Sequence, residues 1–243
     1  MTKFAKAAEL LCNSTCPICR GIGYVLNDAP LGHKDFGKVD FCPNVDRWGL
    51  PGADRYGLTR EEIMTMDWGS IAIRQYVEPA IAQIESAIRN GFGWIYIYGT
   101  FGVAKTFLLK SAIAKLLRAG EEAAYVRMAT IIDNLRSAFD EKNNDRGIVD
   151  QNKLDWWAEI PFLAIDEFDR VRATSFSTER QFVLLDRRYE SAIRERSVTI
   201  MASNKSPDQL TNEGVDAYLV DRIEDGRFAI VEIQGPGFRR TMA

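Results

Sequence analysis

The chain has 243 residues, 46% of them hydrophobic, which is enough to bury the core of one larger domain or of one domain with a small appendage. Its formal net charge of -3 excludes a global basic excess, so contact with nucleic acid must come from a local patch or from an assembly of several copies. The sequence shows neither an apolar run of about 18 residues nor the apolar segment of a signal peptide, so we expect a cytoplasmic protein without membrane contact.

The first 46 residues contain all four cysteines: Cys12, Cys16, Cys19 and Cys42. In a reducing compartment such a cluster favours metal binding over disulfides, and the alternative is free thiols without metal. The turn Cys16-Pro-Ile-Cys19 can present two thiolates to one ion, for which tetrahedral Zn²⁺ is the default. With Cys42 as a further ligand, the fourth is either Cys12, which we favour, or His33. We predict a structural zinc-binding module over residues 1–46.

Residues 47–60 are predicted to be a linker between this module and the rest of the chain. At its end, Thr59 and Glu62 form the capping-box pattern that begins a helix. Apolar residues then recur with a period of about 3.6 residues, which predicts helix as far as about residue 90.

Strands and helices alternate along the remaining sequence. Five apolar, β-rich runs predict strands: WIYIYG, AAYVRM, PFLAIDEFDR, SVTIMASN and RFAIVEI. Helical patterns lie between them: TFLLKSAIAKLLRAG, TIIDNLRSAFDEK, KLDWWAEI, STERQFVLLDRRYESAIRER and, shorter, SPDQL. This alternation predicts an α/β domain over residues 61–243, with helices flanking a parallel sheet.

The segment YGTFGVAKTF, residues 98–107, nearly matches the phosphate-binding loop, except that Ala104 replaces the glycine before the lysine. Backbone N–H groups converge at the helix start, where Lys105 supplies charge for the β- and γ-phosphates of ATP and Thr106 a hydroxyl for Mg²⁺. The alternative is a chance glycine turn with a solvated lysine. The predicted nucleotide-contacting residues of this loop are Gly99, Thr100, Phe101, Gly102, Val103, Ala104, Lys105, Thr106 and Phe107.

Polar residues follow two of the apolar strands, at the edge where parallel sheets bind ligands. Asp166 in FLAIDE is placed to hold Mg²⁺, and Glu167 to orient and deprotonate the attacking water. Asn204 in TIMASN is placed to hydrogen-bond that water or the γ-phosphate. The alternatives are two ordinary surface acids and an ordinary loop asparagine.

Arg222, in YLVDRIEDGRF, lies well after the loop in a segment that looks helical. An arginine here can stabilise the transition-state charge in the pocket of a neighbouring subunit. The alternative is a surface arginine paired with one of its near neighbours Asp221, Glu224 and Asp225.

In their order and spacing these elements resemble an AAA+ ATPase. The resemblance is closer to one branch, the DnaC-type replicative helicase loaders and the IstB-type transposition helpers, and spans about residues 60–240. It rests on the stretches YGTFGVAKT, FLAIDEFD, LLDRRYESAIRERSVTIMASN, DRIEDGRF and GPGFRR. It implies an AAA+ P-loop core without a large C-terminal lid, with Asn204 as sensor 1, Arg222 as arginine finger and Arg239 as a further nucleotide-contacting residue.

The resemblance also bears on Ala104 and on the cysteines. Minichromosome-maintenance helicases, which are also AAA+, carry a loop that looks like GVAKS, so alanine is compatible with a working loop. Its Cβ would cost about 1 kcal/mol if the position requires a positive φ. The segment from Cys16 to Cys42 resembles a zinc-binding segment that precedes the ATPase core in some members, although their Cys-x-Cys pair is here Cys42-Pro43-Asn44.

Three functions are compatible with these patterns. The first is a loader that oligomerises as a ring or spiral with ATP between subunits, contacts single-stranded DNA and recruits a replicative DNA helicase through its zinc module. The second is a transposition helper that binds duplex DNA, and the third is a remodeller of protein complexes that does not act on DNA. Six arginines could face DNA, or could belong to solvated helix faces with paired acids: Arg170, Arg172, Arg187, Arg188, Arg194 and Arg196.

Overall fold

A computed structural model describes residues 17–20, 24–26, 30, 33, 36–37, 39–41, 56–71, 74–140, 154–172, 174–194, 197–213 and 215–235. The chain divides by its contacts into two units, Met1–Arg55 and Tyr56–Ala243. Among the helices of these described ranges, none is both long and apolar enough to cross a membrane.

The first unit contains a short antiparallel hairpin of β1, Tyr24–Leu26, and β2, Val39–Phe41, in which Tyr24 lies opposite Phe41. A turn at residues 17–20 precedes β1 and carries the buried Cys19. The other predicted zinc ligands, Cys12, Cys16 and Cys42, lie outside the described residues. Within the described part of the chain, no group of three or more His, Cys, Asp or Glu side chains is arranged to hold a metal ion.

The described residues of the second unit form a five-stranded sheet. Its strands are β3, Gly93–Gly99; β4, Ala123–Arg127; β5, Phe162–Asp166; β6, Val198–Ser203; and β7, Ala229–Ile233. They pair in the order β4-β5-β6-β3-β7, and every pairing is parallel. The predicted parallel sheet is therefore confirmed. The three inner strands, β3, β5 and β6, are nearly continuous apolar runs because helices cover both faces of the sheet.

The helices of this unit are α1, Arg60–Thr65; α2, Arg74–Asn90; α3, Lys105–Arg118; α4, Met128–Asp140; α5, residues 154–159; α6, Ser175–Arg194; α7, Pro207–Asn212; and α8, Ala217–Ile223. A 3₁₀ turn, Trp68–Ser70, lies between α1 and α2.

The capping box at the start of α1 is present: Thr59 Oγ1 accepts from the Glu62 N–H, and Glu62 Oε2 accepts from the Thr59 N–H at 2.9 Å. The prediction that helix continues from here to residue 90 is wrong. The helix ends at Thr65 because Met66 adopts an extended backbone, and the Arg118 guanidinium of α3 donates to the Ile63 and Met66 carbonyls left open by that ending.

Arg188 is buried in the middle of the fold, with no exposed surface. From α6 it donates to Thr199 Oγ1 at 2.7 Å and the Val198 carbonyl at 2.9 Å on β6. It also donates to the Trp157 and Ile160 carbonyls, at 2.8 and 2.9 Å, which α5 leaves unpaired where it ends. Burial lowers the pKa of the guanidinium to about 9, which still leaves it charged at neutral pH.

The suggestion that six arginines could face DNA is therefore wrong for Arg188. Arg187 pairs with Asp155 and Glu159, and Arg194 pairs with Glu190, as expected for helix faces with paired acids. Arg196 lies outside the described residues.

Candidate nucleotide-binding site

A cavity of about 740 Å³ opens at the carboxyl edge of the sheet, between β3, β5 and β6. The segment from Phe101 to Phe107 forms one side, the acids after β5 another, and Ser203 and Asn204 at the end of β6 a third. This volume lies within the range of small-molecule sites in proteins. The structure thus brings the loop, the two acids and the asparagine to one place.

The backbone of the loop begins at Gly99, the last residue of β3. A Cβ built on Gly99 would lie 2.4 Å from the Ile233 carbonyl oxygen of the neighbouring strand β7, so only glycine fits this position. The loop then turns at Gly102, with φ of 84°, and enters α3 at Ala104. Strand, loop and helix therefore follow one another as the sequence predicts.

Ala104 has φ of 70° and ψ of 16°, which is the left-handed conformation that a glycine adopts without strain. The expected cost of about 1 kcal/mol for an L-residue in this conformation therefore applies. The backbone nevertheless keeps its function, because Ala104 provides the N-cap carbonyl of α3 and accepts from Leu108 N at 3.0 Å. Ala104 therefore adopts, at this cost, the left-handed conformation that glycine adopts without strain.

Lys105 is 9% exposed, and its ammonium lies inside the loop. Nζ donates to the Gly99 and Thr100 carbonyls at 2.7 and 2.8 Å and to Asn204 Oδ1 at 3.0 Å. Burial lowers the pKa of this lysine, against the opposing effect of the Asp166 and Asp169 carboxylates. These contacts connect the phosphate loop to the end of β6.

Asp166 is 3% exposed at the end of β5 and accepts three hydrogen bonds. Oδ2 accepts from Thr106 Oγ1 at 2.7 Å and from the Tyr125 hydroxyl at 2.8 Å, and Oδ1 accepts from the Glu167 N–H at 2.9 Å. Burial, and then the nearby Asp166 charge, raises the pKa of the Tyr125 hydroxyl, which therefore stays protonated as a donor. A hydroxyl beside a carboxylate is an all-oxygen donor set of the kind that Mg²⁺ prefers.

Glu167 follows with φ of 50°, the left-handed conformation again. Its carboxylate lines the cavity and lies 3.9 Å from Arg127 Nε on β4. Non-glycine residues in this conformation cost free energy and tend to occur at functional sites. The side chain of Glu167 is 39% exposed, whereas the strand that precedes it is buried.

Asp169 is a site residue that the sequence patterns did not single out. Its Oδ1 accepts from the Asn204 N–H at 3.1 Å and its Oδ2 from Asn204 Nδ2 at 3.3 Å. The amide orientation of Asn204 is fixed by these bonds, so that Oδ1 faces Lys105. An acid shortly after Asp166 in IDEFD was the available signal, but nothing in the sequence connected it to the end of β6.

Arg222 does not line this cavity. It is 6% exposed on α8, pairs with Asp186 on α6 and donates to the Tyr218 hydroxyl at 2.7 Å. Its guanidinium also lies 4.2 and 4.5 Å from the ring centres of Tyr218 and Tyr189. Its ion-pair partner is thus on another helix and is not one of the adjacent acids. Arg239 lies outside the described residues.

Comparison with known proteins identifies a relative and several solved structures that resemble this chain. The chain is 23% identical over 157 residues to the replicative helicase loader DnaI of Bacillus subtilis (strain 168), a match that covers 65% of this chain and 47% of that protein. The chain thus matches about half the length of that relative. No protein-family profile matches the sequence.

Two similar solved structures are AMPPCP-bound DnaA from Aquifex aeolicus and the DnaC helicase loader. The first has a TM-score of 0.60 at 20% identity, with 73% of this chain and 53% of the other covered. The second has a TM-score of 0.57 at 18% identity, with 72% and 99% covered. The crystal structure of DnaI has a TM-score of 0.56 at 21% identity, with 75% and 95% covered. The second unit therefore has the AAA+ P-loop fold, as the sequence predicted.

Proposed function

We propose that this protein is an ATP-dependent, DnaC-like replicative helicase loader. The observation that carries the nucleotide part is the contact between Thr106 of the phosphate loop and Asp166 of β5, because it joins the two halves of an ATP site at 2.7 Å. The names of the relatives, DnaI and DnaC, support the loader part.

The described side chains suit ATP hydrolysis in named roles. Lys105 binds the β- and γ-phosphates, while Thr106 and Asp166 would hold Mg²⁺, which supplies charge neutralisation on the phosphates when bound. Glu167 accepts a proton from the attacking water, and Asn204 hydrogen-bonds that water or the γ-phosphate. Asp169 positions Asn204, and Arg239, in the C-terminal segment, is a further residue that contacts the nucleotide.

In this proposal ATP binds between subunits of a ring or spiral, and Arg222 acts in trans as the arginine finger. Within its own protomer, the guanidinium contacts Asp186, Tyr189 and Tyr218. It must leave these contacts to reach the ATP bound by a neighbouring subunit. Single-stranded DNA and a replicative helicase are the proposed partners.

We expect the purified protein to co-purify with the host replicative helicase and to show Mg²⁺-dependent ATPase activity that single-stranded DNA stimulates several-fold more than duplex DNA. A pull-down and a phosphate-release assay measure the two. In the assembled protein, Arg222→Ala should retain ATP binding and lose hydrolysis. If hydrolysis is as fast in dilute monomers as in the assembly, the trans role of Arg222 is wrong.

Duplex-driven assembly without helicase binding would overturn the loader proposal in favour of a transposition helper. Hydrolysis that no DNA affects, again without helicase binding, would overturn it in favour of a protein remodeller.

We also propose that residues 1–46 form a zinc-stapled module, followed by a linker over 47–60, which docks on the helicase. The hairpin register supports this proposal, because Tyr24 at the start of β1 lies opposite Phe41 at the end of β2. In the sequence, Cys19 comes shortly before Tyr24 and Cys42 directly follows Phe41. Cys19 is buried, as a structural ligand would be. A small unit of this size needs such a staple.

Metal analysis of the native full-length protein should find one Zn²⁺ per chain, and Cys42→Ser should lose it. Comparing Cys12→Ser with His33→Ala then identifies the fourth ligand, since only the true ligand lowers the zinc content. Absence of zinc from the native wild-type protein would disprove the module.

A further inference from the structure

Arg170 forms part of the cavity wall without an assigned role. Its backbone N–H donates to the Glu167 carbonyl at 2.9 Å, which closes a tight turn directly after β5. The turn therefore carries the proposed base Glu167 and this arginine, and it directly follows the proposed magnesium ligand Asp166 at the end of β5. Such a turn fixes the position of the Arg170 Cα, from which the long side chain extends.

The guanidinium of Arg170 lies 5.5 Å from the ring centre of Phe101. Phe101 belongs to the phosphate loop, lines the same cavity and is 69% exposed, so it does not serve a buried core. An aromatic face can hold a guanidinium by cation–π attraction. Stacking uses the flat face of the guanidinium, whereas its N–H donors lie in the plane and stay available to a ligand.

Two lysines also line the described cavity, and unlike Arg170 each of them is already held by neighbouring groups. Lys105 is held by the Gly99 and Thr100 carbonyls, and Lys110 pairs with Glu62. Within the part of the chain that the structure describes, no carboxylate lies within ion-pair distance of the Arg170 guanidinium. Arg170 is therefore a cation at the cavity wall that Phe101 supports and that no described carboxylate neutralises.

We propose that Arg170 binds the terminal phosphate of ATP held in its own protomer, with Phe101 as its support, and that this contact distinguishes ATP from ADP. The terminal phosphate must lie next to the water that Glu167 activates, and Arg170 is in the same turn as Glu167. A planar fork of N–H donors matches phosphate oxygens in bidentate geometry. This inference rests on the proposed function, because it assumes that the cavity binds ATP.

The test compares Kd for Mg²⁺-AMPPCP and for Mg²⁺-ADP by calorimetry, with dilute full-length protein. Arg170→Ala should weaken AMPPCP binding about tenfold, as expected for the loss of a charge-assisted hydrogen bond, and change ADP binding less than about twofold. Arg170→Lys should recover part of the loss, because it keeps the charge without the fork. Phe101→Ala should lose part of the same discrimination.

Arg172→Ala is the matched control. Arg172 is also exposed and lies in the same segment after β5, but it does not line the cavity. The Arg172 variant should therefore leave both Kd values unchanged. Equal weakening of both nucleotides by Arg170→Ala, or no weakening, would overturn the inference alone. An effect seen only in the assembly would also overturn it, because the contact is within one protomer. Wild-type protein that binds neither nucleotide at any protein concentration, dilute or assembled, would refute the proposed function and this inference together.

Discussion

The Lys105→Ala protein should keep its fold and lose measurable ATP binding, with Kd raised by about a hundredfold or more, or on the order of 3 kcal/mol. The ammonium does two things that alanine cannot: it supplies the charge for the phosphates and it bonds the Gly99 and Thr100 carbonyls that shape the loop. Because the two carbonyls lose a donor, the free energy of unfolding should fall by about 1 to 2 kcal/mol, which leaves the protein folded.

Calorimetric titration with Mg²⁺-ATP measures this loss, and circular dichroism checks the fold. Lys115→Ala is the matched control: Lys115 lies on the same helix, α3, but pairs with Glu85 at 2.9 Å and does not line the cavity. It should bind ATP as the wild type does. An unchanged ATP affinity in the Lys105 variant would refute the assignment of the loop.

Replacing Arg188 with methionine should lower the free energy of unfolding by about 3 to 5 kcal/mol, without touching the cavity. Methionine fills much of the same volume, but it leaves Thr199 and the carbonyls of Trp157, Ile160 and Val198 without their donor in a dry environment. The expected consequence is that α5 separates from β6.

Urea unfolding followed by circular dichroism measures this difference. The adjacent Arg187→Met variant is the control, because Arg187 pairs with Asp155 and Glu159 at the half-exposed surface, where an ion pair contributes about 1 kcal/mol or less. Equal losses in the two variants would show that the hydrogen bonds of Arg188 do not stabilise the fold.

The sheet and the order of its elements could be predicted because buried parallel strands are continuous apolar runs, and each one here ends in turn or polar residues. The same property predicts that Asp166 and Asn204 lie at a common edge of the sheet. The possible strain at Ala104 was also predictable, since phosphate loops normally have glycine at that position. In all three cases the information is local in the sequence.

Contacts between distant segments could not be predicted in this way. The pairing of Arg222 with Asp186 joins α8 to α6, and Asp169 fixes Asn204 across two strand ends. Neither pair has a spacing rule that would identify it. The break between α1 and α2 was missed for the same reason, since Arg118 on α3 satisfies the carbonyls that end α1.

Arg188 is an intermediate case, because a local signal existed. The buried residues of α6 include Leu184, Leu185, Arg188 and Ala192, which share one face at helical spacing. A charged residue within an apolar stripe indicates an inward-pointing side chain with buried acceptors. Charge alone does not distinguish Arg188 from the exposed arginines, whereas its position on the helix does.

The place of β3 in the sheet has a consequence for synthesis of the chain. Its two neighbours are β6 and β7, which come last among the strands of the described residues, and Gly99 lies directly against the Ile233 carbonyl. During translation, β6 and β7 leave the ribosome well after the glycine loop has emerged. The nascent protein therefore cannot complete its phosphate loop until nearly the whole second unit is available, and such long-range pairing slows folding.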